Sequence, residues 1–387
     1  MSVILMGKEY PPPRIVKVKG SSREMGRQHG EQLADLLLRY RESVASYYGR
    51  VGYLGERLAR TIELNEKELE RVAPHLIEEL HGIAEGAKLP YENILSMYLC
   101  PEIVAVQPPD AVYQRYYREE TQQDCTSFAA GGKATVDGAP LLAQTRDTSP
   151  SGVEFRITVI ATPHEGYSYV AHSRPTLNGG YGVNSKGVSI AAPTVHTLDG
   201  VAAINSGKPS GITDSTLSKI VMEKCASVHD ALEYAESKPG GYMGLNVLLV
   251  DERGNMAKVE RSYDSINTKV PEGASCPTNF IMAATNHFSS KKTNELGPSS
   301  EKDYASSYHR HDRIMELLTS KAGHISYDMF EDFSRDHGNG PGDLSVCRHG
   351  KTICTNSAFI IELKKRRLHV LTGTPCQNRF TAFECPS

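Results

Sequence analysis

The sequence predicts an α+β layered fold, with helices first and strands after, and three observations carry that reading. Up to about residue 104 the apolar side chains recur at helical spacings. From residue 124 the pattern changes to short strand-like runs, several of them apolar throughout. Helical stretches then interrupt the strands, and helices first followed by a two-sheet strand assembly is an α+β arrangement. The length of 387 residues, 39% hydrophobic and 23% charged, allows two domains or one large unit with a sizeable core.

The elements follow in chain order. RIVKVKG reads as a strand ending in a turn at Gly20. Ser21-Ser22-Arg23-Glu24 is a capping box, with Ser at the cap and Glu three residues on, so a helix is predicted to run from there to Val51. Its buried face carries Leu33, Leu36, Leu37 and Tyr40. A second helix is predicted over 65–86, with Leu69, Val72, Leu76, Leu80 and Ile83 on one stripe, and a third over 90–104. Gly26, Gly30, Gly82 and Gly86 fall inside these helices. Each costs about 1 kcal/mol relative to Ala, so close approach of two helices is the expected reason for them.

Residues 105–123 are polar, tyrosine-rich and interrupted by proline, and read as an exposed connector. After it come CTSFAA, GGKATV and LLAQT, with Asp137-Gly138 as a hairpin signal between the last two. EFRITVIATP, YSYVAHS, YGVNSKGVSIAAP, GLNVLLVDERGNMAKVE, IMAATNH, NSAFIIELKKRRLHVLTG and RFTAFE supply further strands. Helices are predicted over 214–236, 304–320 and 325–334, and no internal repeat is visible.

Composition excludes several classes. A net charge of −3, 7% aromatic residues and no Trp argue against a nucleic-acid surface or a stacking platform. No run approaches the ~18 apolar residues of a membrane span. The apolar stretch at the N-terminus is too short for a signal-peptide core, and no Asn-x-Ser/Thr sequon occurs. The eight cysteines, at 100, 125, 225, 276, 347, 354, 376 and 385, include no Cys-x-x-Cys, and the 29-residue gap from Cys347 to Cys376 is not a zinc-ligand rhythm. A soluble cytoplasmic protein with free thiols is expected, with no cofactor, metal, membrane or nucleic-acid partner. Phosphate-loop, nucleophile-elbow and His-Glu-x-x-His motifs are missing. Ser289-x-x-Lys292 sits in a polar loop, and His309 and His311 lie about 200° apart on a helix, as solvated surface residues would.

One constellation carries chemistry, Asp124-Cys125-Thr126-Ser127-Phe128. A thiol stands at the first position of a strand, directly after the connector. If the bond before Cys125 breaks, Cys125 gains an α-amine of pKa about 7.7–8.0, which can serve as general base for its own thiol without a histidine. The bland alternative is a small buried hydrophobe, the usual place of a free Cys.

From Gly20 to about residue 375 the chain resembles the isopenicillin-N acyltransferase family (acyl-CoA:6-aminopenicillanate acyltransferase and relatives). SSREMG and RQHG resemble its opening motif. LIEELHGIAEGAKLPYENILSMYL resembles the helix and the segment leading to its processing site. CTSFAA matches its nucleophile strand. AQTRD, ending at Asp147 22 residues after the Cys, is similar to the segment that ends in an active-site aspartate. GVNSKGVSIA, ATNHF, SSYHRHDRIMELL and SVCR follow in the same order.

The resemblance implies a four-layer αββα N-terminal-nucleophile hydrolase fold preceded by a helical segment. It also implies a precursor that cuts itself between Asp124 and Cys125, giving fragments 1–124 and 125–387 that stay associated as one domain. Cys125 would be the nucleophile and Asn286 the oxyanion donor. Asp147 would bind the α-amine or orient the nucleophile strand, and Thr194 would add a polar carbonyl contact, as in related conjugated-bile-acid hydrolases. Arg146 alternates away from Asp147 and is expected to be structural. His287 points away from Asn286, and Thr126 and Ser127 would help the N-to-S shift through a hydroxyl. Two departures stand out: Asp124 replaces the glycine before the nucleophile, and the family's late arginine has no match in KTICTNSAF. The terminal CPS is neither a peroxisomal address nor a prenylation box.

The expected activity is hydrolysis of a small N-acyl amine or peptide-like amide through an acyl-enzyme. The alternative in the same class is acyl-CoA-dependent transfer to an amine, and the alternative in another class is an unprocessed, non-catalytic member of the fold. Metal-dependent hydrolysis is discounted for want of ligand spacing. Small-molecule acyl amides or acyl-CoA and the chain's own cleaved fragment are the expected partners, and a homo-oligomer is compatible with the sequence.

Overall fold

The computed structural model describes residues 10, 13–50, 54–104, 124–177, 179–271, 280–297, 304–350 and 353–387. The connector 105–123 and Cys276 lie outside the described residues. Strand β1 (Arg14–Gly20) leads into helix α1 (Ser22–Arg50), and Glu24 accepts from both the backbone N–H and the hydroxyl of Ser21, at 2.8 and 2.9 Å. Helices α2 (Gly55–Val72), α3 (Pro74–Ala87) and α4 (Tyr91–Val104) follow.

The stretch predicted as one helix over 65–86 is therefore two. Ala73 leaves the helical region at φ −152°, ψ 63°, and Pro74 starts the next helix at a position where its missing N–H costs nothing. The four glycines do mark a close approach, between α1 and α3. A Cβ on Gly26 would lie 2.1 Å from the Glu79 carbonyl oxygen, and one on Gly86 would lie 2.0 Å from the Arg27 carbonyl oxygen.

Among the described residues the strands form two sheets. They are β2 (Asp124–Ala130), β3 (Leu141–Thr148), β4 (Ile157–Pro163), β5 (Tyr169–Ser173), β6 (Tyr181–Asn184), β7 (Val188–Ala191) and β8 (Thr194–Val195). Then come β9 (Gly244–Asp251), β10 (Met256–Arg261), β11 (Ile266–Lys269), β12 (Ile281–Ala284), β13 (Cys354–Glu362), β14 (Arg367–Thr372) and β15 (Thr381–Glu384). One sheet has the order β1-β4-β5-β6-β7-β9-β10-β11, with β8 on β9, and the other has the order β12-β2-β3-β13-β14-β15.

Helices α5 (Leu198–Asn205), α6 (Asp214–Lys224), α7 (Val228–Ala235), α8 (Ala305–Lys321) and α9 (Tyr327–Ser334) complete the frame. Helix α5 is an addition to the sequence reading. The predicted 214–236 helix is broken at Cys225, where Ser227 caps a new helix by accepting from the Asp230 N–H. The β2–β3 connection also differs from the simple hairpin expected. Gly132 turns the chain at φ +50°, Gly132–Ala134 form a 3₁₀ turn, and KATV is not a strand, although Gly138 does sit at the turn with φ +71°.

Two clusters of buried apolar side chains fill the spaces between four layers. Phe128, Ala130, Leu141 and Ala143 pack with Ile314 and Leu318 of α8 and Phe330 and Phe333 of α9. Ala129, Leu142, Phe359 and Ile361 point the other way, into the main core with Val170, Leu248 and the residues of α1, α3 and α4. The alternation along β2 and β3 thus sends one face to the helices and the other to the facing sheet. Helix layers on both outer sides complete the expected αββα order. No helix among the described residues is long and apolar enough to cross a membrane.

Gly86→Ala is expected to destabilise the protein by about 3 kcal/mol, because the added methyl meets backbone and not a movable side chain. Chemical denaturation of the variant beside wild type reads this. A difference below about 0.5 kcal/mol would show that α1 and α3 can part cheaply.

Candidate active site

Cys125 is the second residue of β2 and pairs directly with Arg146 of β3, while Asp124 pairs with Asp147. Residues directly opposite in a sheet share a face. Cys125 and Arg146 therefore lie between the sheets, and Asp124 and Asp147 lie on the helix side. Arg146 was expected to be structural because it alternates away from Asp147. The alternation holds, but it is what places the guanidinium on the same face as the Cys125 thiol, 5.2 Å from the Tyr181 ring centre. Burial pushes the Cys125 thiol up to about 11, with Arg146 pulling it down and Asp147 pushing it further up.

On the helix side the two carboxylates share buried arginines. Arg348 forms an ion pair with Asp124 and lies 4.0 Å from Asp147. Arg310 of α8 lies 3.8 Å from Asp124 and donates to the Cys125 carbonyl oxygen at 2.6 Å and to Thr126 Oγ1 at 2.9 Å. Burial alone would raise the Asp124 carboxyl, but Arg348 and Arg310 outweigh it and hold it below the ordinary range. Asp147 is pushed up to about 6 by burial, against the pull of the same arginines. The Thr355 hydroxyl donates to Asp147 Oδ1 at 2.7 Å, and Asp147 Oδ2 is buried without a hydrogen-bond partner.

Asn286, two residues beyond β12, closes the site from the neighbouring strand. The Cys125 backbone N–H donates to its Oδ1 at 2.9 Å, and Arg310 Nη2 donates to the same atom at 3.0 Å. Two donors fix that atom as the oxygen, so the amide nitrogen faces the other way and donates to the Thr194 carbonyl at 2.8 Å. The Asn286 amide thus links the Cys125 nitrogen to the backbone of Thr194. His287 turns to Ser307, at 2.8 Å, and stacks on Tyr308; burial lowers it to about 3. His311 is half-buried edge-on to His287 and is not a solvated surface residue, whereas His309 is exposed. The Ser127 hydroxyl is used by Gln144 at 3.0 Å.

The sequence reading missed the roles of Arg146, Arg310 and Arg348. Arg310 and Arg348 stand in segments singled out for other reasons, HRHDR and SVCR. The late arginine sought in KTICTNSAF is absent there, yet a buried arginine enters the site six residues before Cys354. A small pocket opens on the Arg146 side, lined by Arg146, Arg156, Arg174, His172, Tyr181 and Asp214. There, burial and the two neighbouring guanidiniums lower Arg156 to about 9. Cys347 and Cys376, 29 residues apart in sequence, also come together. Chain folding brings both to His337 and His349, a group whose four donor atoms all lie within 4.8 Å of one another.

Arg348→Met leaves the buried Asp124 carboxylate with the longer contact to Arg310, 3.8 Å away, a loss of about 3 kcal/mol at neutral pH. In wild type the lowered Asp124 pKa contributes stability that is present above its unfolded value and lost as pH falls through the folded one. In the variant Asp124 takes up a proton at higher pH, so the deficit is expected to shrink between pH 7.5 and 5. Denaturant unfolding at both pH values measures it, and a deficit independent of pH would assign the loss to packing.

The family model for acyl-coenzyme A:6-aminopenicillanic acid acyl-transferase matches residues 134–377. No curated protein matches the chain. Among solved structures, penicillin V acylase from Agrobacterium tumefaciens is similar at 14% identity and TM-score 0.36, over 64% of this chain and 83% of that one. A mutant of conjugated bile acid hydrolase from Clostridium perfringens is similar at 11% identity and TM-score 0.38, over 68% of this chain and 97% of that one. With well over half its length matched by the family model, the chain belongs to the acyl-coenzyme A:6-aminopenicillanic acid acyl-transferase family, a family of acyl-transferring enzymes.

Proposed function

We propose that the protein is a cysteine N-terminal-nucleophile amidohydrolase that matures by cutting its own chain before Cys125. One observation carries the reading. The backbone nitrogen of Cys125, the atom that cleavage would turn into an amine, is already held by Asn286 Oδ1, with Arg310 and Thr194 fixing that amide.

In the precursor Cys125 Sγ bonds to the Asp124 carbonyl carbon and the C–N bond breaks, the nitrogen keeping the thiol proton. Water then hydrolyses the thioester, freeing the thiol and the Asp124 carboxyl group. In the mature enzyme the freed amine takes the thiol proton, and Sγ attacks the substrate carbonyl. Asn286 Nδ2, oriented by Thr194, donates to the developing oxyanion, a contribution of about 10²–10³ in rate for such a donor. The substrate amine leaves with the proton, and water resolves the acyl-enzyme. The shared face with Arg146 supports this chemistry, since a guanidinium beside the sulfur favours its thiolate.

Small N-acyl amines or peptide-like amides are the proposed substrates, and the arginines of the pocket that includes Arg146, the cross-strand neighbour of Cys125, suit a substrate group bearing a carboxylate or another anion. The fragments 1–124 and 125–387 would stay together, because β1 pairs along its length with β4 and α1–α4 share the main core with both sheets. Transfer of the acyl group to an amine from acyl-CoA is the second reading, favoured by the description of the matched family.

Intact mass of purified protein is expected to show two species divided before Cys125, and Cys125→Ala a single chain of 42.5 kDa without turnover of N-acyl amines. Wild type that turns over substrate as one uncut chain would sink the maturation scheme. Asn286→Ala is expected to lower kcat about 10²–10³-fold. Product analysis with and without an acceptor amine separates hydrolysis from transfer.

A further inference from the structure

Residues 335–350 follow α9 without a helix or strand of their own. Loops of that length in a compact domain need a specific means of support. Yet Ser345, Val346, Cys347 and Arg348 are buried, and Arg348 carries the ion pair with Asp124. Backbone pairing accounts for part of this order: Cys347 N–H donates to the Asp336 carbonyl at 3.1 Å, and Thr355 N–H donates to the Arg348 carbonyl at 3.1 Å. Arg313 holds the Asp336 carboxylate through two bonds of 2.9 Å.

We propose that His337, Cys347, His349 and Cys376 form a tetrahedral site for a thiophilic divalent metal of the zinc class, which fixes this loop and so positions Arg348. The geometry is that of a ligand cage. Metal–sulfur and metal–nitrogen distances of about 2.3 and 2.0–2.1 Å put neighbouring donor atoms of a tetrahedron about 3.3–3.8 Å apart. His337 Nε2 and His349 Nε2 are 3.1 Å apart, Cys347 Sγ is 3.7 Å from His349 Nε2, and Cys376 Sγ is 3.3 Å from it. All four donor atoms lie within 4.8 Å of one another.

The donor chemistry points the same way. Two imidazole nitrogens and two sulfurs converge from three separate stretches of chain, with no carboxylate among them. That set selects zinc-like metals over magnesium or calcium, which take oxygen ligands. Binding releases the two thiol protons, so a divalent ion and two thiolates give a neutral centre. Four protein ligands complete a structural site and reserve no position for a reacting water. Cys347 is buried, the histidines are half-buried and Cys376 is exposed, which gives the ion an entry path from solvent.

The position in the fold gives the site a task. Two ligands flank Arg348 in sequence, so the metal clamps the backbone on both sides of it. The guanidinium then reaches Asp124, at the proposed scissile bond, and stands 4.0 Å from Asp147. Metal binding is independent of the proposed cleavage, and only its effect on the rate of cleavage rests on that reading.

Elemental analysis of the full chain purified without chelator is expected to give one zinc per chain. After removal of the metal, titration with Co²⁺ is expected to give the visible bands of tetrahedral cobalt and the near-ultraviolet charge transfer of two thiolates. Cys125→Ala is expected to give the same spectrum, which excludes the nucleophile as a ligand and tests the site in a chain that cannot cut itself. Cys376→Ser and His337→Ala are expected to lose the stoichiometric metal and to mature about tenfold or more slowly. Cys385→Ser, whose thiol contacts Ser168 and Pro386, is expected to keep it.

Wild type that holds no stoichiometric metal and gives no thiolate–cobalt spectrum overturns the site. So does a chain two hydrogens lighter with Cys347 linked to Cys376. Metal-free Cys376→Ser that matures at the wild-type rate overturns the positioning role. Metal bound at full stoichiometry in a wild-type chain that never cuts leaves the site standing and removes the maturation scheme instead.

Discussion

The arrangement around Cys125 depends on a buried charge network at the start of β2. Asp124 cannot be taken out of water as an anion unless cations go with it. Arg348 and Arg310 are those cations, one from the irregular loop after α9 and one from α8. The same two residues reach further, Arg310 to the Cys125 carbonyl and to Asn286 Oδ1, and Arg348 towards Asp147. Satisfying the charge of Asp124 therefore also fixes where the first residues of the strand sit. It ties the six-stranded sheet to the helix layer outside it, where the apolar contacts of Phe128 and Ile314 alone would leave the strand end free to shift.

The pleat of the sheet divides the labour. On the inner face the sulfur has Arg146 and, beyond it, the ring of Tyr181 in the facing sheet. On the outer face the carboxylates have two arginines and Thr355. In the plane of the sheet, between the two, the backbone N–H of Cys125 meets Asn286. Thiol, backbone nitrogen and counter-charges are thereby addressed from three directions without crowding. The high thiol pKa of about 11 is the consequence of burial in the intact strand, and Arg146 is the nearby charge that opposes it. A new α-amine at Cys125 would add a base within one residue of the sulfur, so cleavage and activation are the same event in the proposed scheme.

Much of the candidate site was legible in local sequence. Cys125 stood out because a thiol at the head of a strand after a polar connector has a chemical use, and Asn286, Asp147 and Thr194 followed from resemblance. Asn286 accepts from the Cys125 backbone N–H and, with its other end, donates to the Thr194 carbonyl. Asp147 lies on the opposite face from the thiol, a fact that its distance along the chain does not reveal, because it depends on which residue of β3 is paired with Cys125. The arginines were harder still. Arg310 and Arg348 come from segments 185 and 223 positions beyond the thiol, and nothing in their own neighbourhood marks them as buried. The cysteines at 347 and 376 failed a test of spacing for the same reason: their partners at 337 and 349 are supplied by a loop whose path is set by tertiary contacts.

By itself the sequence determined the succession of helices and then strands, the close approach of two helices at their glycines, and the position of Cys125 near the head of a strand. These depend on periodicity, on the space that a missing Cβ opens, and on the junction of a polar connector with an apolar run, all of which are local. Tertiary structure decided the register of β2 against β3, the choice of cations for Asp124, and the convergence of two histidines and two cysteines. Those outcomes depend on which distant groups must share one desolvated volume, and a buried charge or an open ligand set is satisfied by whatever the fold brings within reach.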